Sequence, residues 1–288
     1  EFYGQDSSLF QDAEEIIQIN GLATSAILTE MQKLTGAKAL PIQNKTIEMN
    51  FRSYLWMIYK FEGDYTLTLR KRNGKIYQMS VNGINNEEFL RNRKRYPAQS
   101  PYPYSLHTEK NRQTAILTIR SFANLKDFCT FVDSAFQIIS ENNTRDLIID
   151  IRGNGGGRSI VVDSLMNYLT NKEYSQYKKI ETRISNALKN YYKEKYPSKF
   201  EEIKDYSIDE LTSVPSESKN PQNKEFRYHG NMYLLTNNAT FSAAATFAGL
   251  FKELNLGTIV GEETGGTIEY YGDFWFLTLP NSGLQFHI

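Results

Sequence analysis

Asp150-Ile151-Arg152-Gly153-Asn154-Gly155-Gly156-Gly157 follows Leu147-Ile148-Ile149, so a run of branched apolar residues gives way at once to a glycine-rich loop. The apolar run reads as a buried strand. Glycines at its carboxyl end let the backbone take positive φ and approach a ligand closely, with N–H groups turned toward an anion. Such loops bind phosphates or the oxyanions of transition states. The phosphate reading needs a fingerprint, and Gly153-Asn154-Gly155-Gly156-Gly157-Arg158 lacks the last glycine of GxGxxG, while neither GxxxxGKS nor GxxxxGKT occurs. The oxyanion reading is the sharper one.

Outward from the loop, strand and helix patterns alternate: strand at 115–119, helix at 125–139, strand at 146–151, helix at 160–169. This rhythm indicates an α/β domain with strands buried under helices. Residues 171–226 break it, being rich in Lys, Glu, Tyr, Ser and Asn, and read as a surface insertion. Met232-Tyr233-Leu234-Leu235 then reads as a strand, 242–254 as an alanine-rich helix and Thr258-Ile259-Val260-Gly261 as the next strand. Upstream, Glu15-Ile16-Ile17-Gln18-Ile19-Asn20-Gly21 reads as a strand closing in a turn, followed by a helix over 25–34 with Ser25 as its cap. Strand patterns at 65–70 and 75–81 flank Asn73-Gly74, a hairpin signal because both residues tolerate the left-handed conformation. The polar stretch 85–108, with Pro97, Pro101 and Pro103, has few apolar anchors and resembles a linker. The expected division is a small α+β module over 1–90, a linker over 91–112 and a second domain over 113–288.

Composition narrows the function classes. The 288 residues are 40% hydrophobic and 23% charged, which is globular material. The 33 basic and 33 acidic residues cancel, and no like-charged block favours nucleic acid or an anionic membrane. The chain has no apolar run long enough for a membrane span and no signal-peptide pattern at its start. The single cysteine, Cys129, excludes an internal disulfide and sits in the apolar pattern of Phe128, Phe131, Val132 and Phe136, which suggests a buried position. The chain lacks an initiator methionine and stops in a strand-like alternation, Leu284-Gln285-Phe286-His287-Ile288, so it reads as a fragment of something longer.

A second constellation is Asn237-Asn238-Ala239-Thr240-Phe241-Ser242-Ala243-Ala244-Ala245, a polar loop running into a helix of small residues. A serine at a helix amino terminus is either an N-cap or a nucleophile whose surroundings favour negative charge. The residues of this segment alone leave both open. No HExxH or CxxC spacing argues for a metal. Glu262 and Glu263 are strand neighbours facing opposite ways and make a poor acid/base pair. The cluster Tyr270-Tyr271-Phe274-Trp275-Phe276 reads as a hairpin alternating between core and surface, or else as the lining of an apolar pocket.

The three blocks together, Asp150 to Gly157, Thr240-Phe241-Ser242-Ala243-Ala244 and Ile259-Val260-Gly261-Glu262-Glu263-Thr264-Gly265-Gly266, resemble in order and character the carboxyl-terminal processing (tail-specific) serine peptidases and their tricorn-like relatives. The strand and turn at 15–21 look like those of the PDZ-like module of that family. The resemblance implies a ClpP/crotonase-like catalytic domain, incomplete at its carboxyl-terminal end, behind a degenerate PDZ-like module. It places the nucleophile on Ser242 and the oxyanion hole on the N–H groups of Ala243 and of Gly156 or Gly157. Relatives with a Ser/Lys pair carry the lysine where this chain has Thr267, and no lysine follows Lys252. A threonine cannot take the serine proton at neutral pH. The resemblance then points to the tricorn-like branch, whose histidine comes from before the PDZ-like module and hence from upstream of Glu1, and whose glutamate would fall beyond Ile288. His107, His229 and His287 do not stand where the resemblance puts the base.

The expectation is a serine endopeptidase acting on protein or peptide substrates. No cofactor, metal, nucleic acid or membrane span is implied, and the family points to a place outside the cytoplasm. One rival is a non-catalytic peptide-binding protein on the same fold. Another is an acyl-transfer or acyl-CoA enzyme that would not need Ser242.

Overall fold

In the computed structural model, which describes residues 14–36, 40–93, 102–267, 272 and 276–287, two hydrophobic clusters form on two sheets. β1 (Glu15–Ile19) turns at Asn20 and Gly21, both at positive φ, into the short β2 (Leu22–Ala23). In α1 (Thr24–Gln32) Ser25 lies inside the first turn instead of capping it. Ala23 holds the cap position, and the Thr24 hydroxyl donates back to the Ile16 carbonyl. α2 (Leu40–Tyr59) escapes the sequence pattern because Met49, Trp56 and Met57 are exposed and dilute the apolar period set by Ile47 and Leu55.

β3 (Tyr65–Arg70) and β4 (Ile76–Val81) form the hairpin, with a different turn from the one expected. Gly74 takes positive φ and Asn73 does not; the Gly74 N–H donates to Lys71 O and the Lys71 N–H to Lys75 O, the pattern of a longer loop with a glycine bulge. These strands make an antiparallel sheet of order β2-β1-β3-β4 over Ile19, Ile27, Met31, Leu67 and Leu69. α3 (Asn86–Arg93) follows.

The expectation of a linker through residue 112 is corrected by β5 (Tyr104–Glu109), which pairs antiparallel with β6 (Thr114–Ile119) as the edge of the main sheet. The only apolar residues on its inner face are Tyr104 and Leu106, packed on the core, so the polar residues around them masked the strand. α4 (Leu125–Glu141), capped by the Asn124 side chain, leads to β7 (Asp146–Asp150), and α5 (Ser159–Leu169) follows the glycine-rich loop. Residues 171–226 carry regular structure: β8 (Lys179–Arg183) and β9 (Leu211–Pro215) form an antiparallel ribbon around α6 (Asn186–Lys195) and α7 (Pro197–Ile203). β10 (Asn231–Thr236), α8 (Ala243–Glu253) and β11 (Thr258–Gly261) restore the α/β rhythm, and β12 (Phe276–Thr278) pairs with β13 (Gln285–His287).

The main sheet runs β11-β10-β7-β6-β5, parallel apart from β5. Ala115, Leu117, Ile119, Leu147, Ile149, Met232 and Leu234 bury one face against Phe128 and Phe136 of α4 and Phe247 and Phe251 of α8. Alternate residues such as Ile116, Ile148 and Tyr233 are half-buried, so the strands are covered more fully on one side than the alternating pattern implied. Cys129 is half-buried, its Sγ 3.6 Å from Ser164 Oγ, because the helix turns it to the margin of the core. Of the aromatic cluster, Tyr270, Tyr271, Phe274 and Trp275 lie outside the described residues, and Phe276 is exposed. No helix among the described residues is long and apolar enough to cross a membrane.

Candidate active site

β7 and β10 are parallel neighbours with Asp150 opposite Leu235, so the loops after them leave the same carboxyl edge of the sheet. That edge is where open α/β sheets place their ligands. Asp150 fixes the start of the first loop. It is buried and accepts from Arg120 at 2.8 Å and from the Arg152 side chain at 2.9 Å on both oxygens. Burial opposes its ionisation, but the Arg152 and Arg120 hydrogen bonds outweigh burial and hold the carboxyl well below the usual carboxylate range.

Three polar residues that the sequence reading missed hold the two loops in place, two of them, Asn237 and Thr240, by side-chain bonds from one loop to the other. Asn154, fully buried, donates its side-chain amide to Ile119 O (3.1 Å), accepts the Gly156 N–H on Oδ1 (2.9 Å), and takes the Phe241 N–H on its main-chain carbonyl (2.9 Å). The Asn237 Oδ1 accepts from Gly153 N–H at 2.9 Å and from Ala239 N–H at 3.2 Å. The buried Thr240 hydroxyl donates to Ile151 O (3.1 Å) and accepts from Asn237 N–H (3.1 Å). The partners that tie these residues across the fold, Ile119, Phe241, Gly153 and Ile151, are remote in sequence, so the only local signal was polar residues set among glycines and alanines.

This framework holds Ser242 at φ 52° and ψ −127°, a region that side-chain-bearing residues rarely enter. Ser242 occupies the N-cap position of α8, yet its side chain makes no cap hydrogen bond. Backbone strain of this kind on a strand-to-helix turn clusters at functional sites. The Ala243 N–H has no partner among the described residues although Ala243 is 1% exposed. A buried donor without an acceptor is uncommon and invites an anionic oxygen.

Gly156 and Gly157 play unequal parts. The Gly156 N–H is engaged by Asn154, whereas the Gly157 N–H has no partner among the described residues and Gly157 is exposed. Gly156 is held at φ +102° against Ser242, and a Cβ there would lie 2.7 Å from Ser242 Cβ and 3.0 Å from Ala243 N. Gly157, at φ +144°, abuts Phe122, whose N–H donates to Gly156 O while its carbonyl accepts the Arg158 N–H.

The third block closes the site from behind. The Gly266 N–H donates to Thr240 O, and a Cβ on Gly266 would stand 2.9 Å from Ser242 N. Thr267 follows it directly and is exposed. Glu262 accepts the Asn238 N–H on Oε2 at 3.3 Å and so braces the second loop. His107 pairs with Ile116 on the edge strand β5, three strands from β10, and His229 precedes the amino end of β10, opposite the edge that carries Ser242. His287 lies on β13.

Comparison with known proteins matches residues 113–274 to the family described as Peptidase family S41. No curated protein sequence matches. Among solved structures, mature CPAF complexed with lactacystin aligns with a TM-score of 0.63 at 17% identity, covering 98% of this chain and 69% of that one. A second structure of mature CPAF gives 0.62 at 16% identity, covering 96% and 67%. At these identities the likeness is one of fold. The photosystem II D1 C-terminal processing protease aligns with a TM-score of 0.42 at 12% identity over 94% of this chain and 56% of its own.

Proposed function

The chain belongs to peptidase family S41 and is a serine-type peptidase of protein substrates, and from that premise we propose that Ser242 is its nucleophile. Ser242 Oγ attacks the peptide carbonyl, and the N–H groups of Ala243 and Gly157 receive the developing oxyanion. Gly156 serves the hole by lacking a side chain. A base from outside residues 1–288 accepts the serine proton and returns it to the leaving amine. The observation that carries this reading is the strained, uncapped Ser242 beside the unpartnered N–H of buried Ala243.

The same reading treats 113–288 as a ClpP/crotonase-like domain and 1–90 as a degenerate PDZ-like module that captures peptide by strand addition. In support, helices cover the main sheet on one face, and the smaller sheet keeps a core of its own. It places the protein outside the cytoplasm, on family grounds. A second reading, peptide binding without hydrolysis, draws on Thr267, which stands where Ser/Lys relatives have their lysine.

Cleavage of an unfolded protein by the full-length protein, beside its Ser242→Ala variant, tests the proposal. Cleavage by the first alone supports hydrolysis at Ser242. Equal behaviour of the two hands the site to the binding reading.

A further inference from the structure

Beside the oxyanion loop lies a wide, shallow cleft of about 580 Å³, open to solvent and lined by Ala123, Asn124, Leu125, Lys126, Cys129 and Arg158. It adjoins the reacting centre through the backbone: Arg158 is the residue after Gly157, and a Cβ on Gly157 would meet Phe122 O at 2.4 Å and Ala123 N at 2.8 Å. The size suits one or two substrate side chains.

The charges of the cleft are unbalanced. Of the basic residues around the loop, Arg120 and Arg152 are committed to Asp150. Arg158 and Lys126, from two different elements, have no carboxylate partner among the described residues and are exposed. The nearest acid in sequence, Asp127, takes the Asn124 amide on Oδ2, and its own N–H donates to Asn124 Oδ1, so this pair closes on itself. Leu125, Ala123 and the half-buried Cys129 supply an apolar floor for a methylene stem.

We propose that this cleft receives an aspartate or glutamate side chain next to the scissile bond, its carboxylate paired with the Arg158 guanidinium and supported by Lys126. A guanidinium matches a carboxylate in two parallel hydrogen bonds, which adds geometry to charge. The inference rests on Ser242 being the nucleophile and adds a substrate class to that site.

The test uses the full-length protein and peptides amidated at the carboxyl end, so that only a side-chain carboxylate can respond. One residue, scanned across three positions on either side of the scissile bond, is Glu, Gln or Lys. Expected is a kcat/KM about 5- to 10-fold higher for Glu than for Gln at one position, shrinking with salt. Arg158→Glu is expected to invert the Glu-to-Lys ratio, a reversal that loss of structure cannot produce. A Glu-to-Gln ratio within about twofold at every position, or a ratio unmoved by Arg158→Glu, overturns the proposal while leaving hydrolysis at Ser242 intact. Should no peptide be cleaved, the same peptides are titrated by fluorescence anisotropy. Tighter binding of Glu than Gln, lost in Arg158→Glu, supports the cleft even if Ser242 is not the nucleophile, and equal binding rejects it.

Discussion

The Cα of Gly156 is pressed so closely on Ser242 that a methyl group added to it would lie 2.7 Å from Ser242 Cβ. Two loops separated by more than eighty residues thus share one contact surface, and only glycine fits it. Gly156→Ala combines this clash with an unfavourable φ of +102°. It should lower stability by about 1–3 kcal/mol and activity by about 10²-fold or more, because the loop must retreat from Ser242. Thermal melts alongside kcat check both parts; a variant that keeps full activity would show that the contact is dispensable.

Ser242 itself stores strain, since φ 52° with ψ −127° is a glycine conformation. Ser242→Gly should raise stability by about 1 kcal/mol while abolishing cleavage. Denaturant midpoints measure the gain. A loss of stability would mean that the serine side chain holds the turn together.

Asp150 makes a prediction in pH. Its folded-state carboxyl is depressed, despite burial, by hydrogen bonds from Arg152 and Arg120, so the stabilisation is present above the unfolded carboxylate pKa of about 4 and fades as pH falls through the lower folded value. Asp150→Asn should therefore be less stable than the natural chain by about 3 kcal/mol near pH 7, with the gap narrowing in acid below about pH 4. Unfolding curves of both proteins across pH decide it: a gap independent of pH would assign the loss to packing.

From a fully buried position the Asn154 side chain ties the first loop to the Ile119 carbonyl and to Gly156 N–H, while its main-chain carbonyl takes the Phe241 N–H of the second loop. Asn154→Leu should cost about 2–4 kcal/mol, leaving the Gly156 N–H and Ile119 carbonyl without partners. Amide hydrogen exchange at residues 152–158 should quicken. Unchanged protection there would show that the loop is held by other contacts.

The insertion is moored to α5 through Asp163, which accepts hydrogen bonds from Tyr174 (2.7 Å) and Gln176 and pairs with Lys219. Asp163→Ala should loosen both roots of the insertion, and limited proteolysis should then cut within 186–205 faster than in the natural chain. Identical cleavage patterns would place the mooring elsewhere.

What could be read in the sequence was local. Glycines after Leu147-Ile148-Ile149 and the small residues after Ser242 announce loop geometry through residue type alone; that both loops leave one sheet edge follows from the parallel pairing of β7 and β10. β5 was hidden by the polar outer face of an edge strand, and α2 by its exposed apolar residues. The site's inner framework was illegible for a different reason. Whether Gly156 or Gly157 offers a free N–H depends on where one buried asparagine side chain points, and the Asn237 bond to Gly153 joins residues 84 apart. Pairings at that separation are set by the packing of β7 beside β10.

The central claim is that Ser242 is the nucleophile, and the most direct measurement is covalent labelling of the full-length protein with a fluorophosphonate, followed by mass spectrometry of its peptides. The account predicts a single adduct on Ser242, absent in Ser242→Ala. An active protein that carries the adduct on another residue, or none at all, would contradict it.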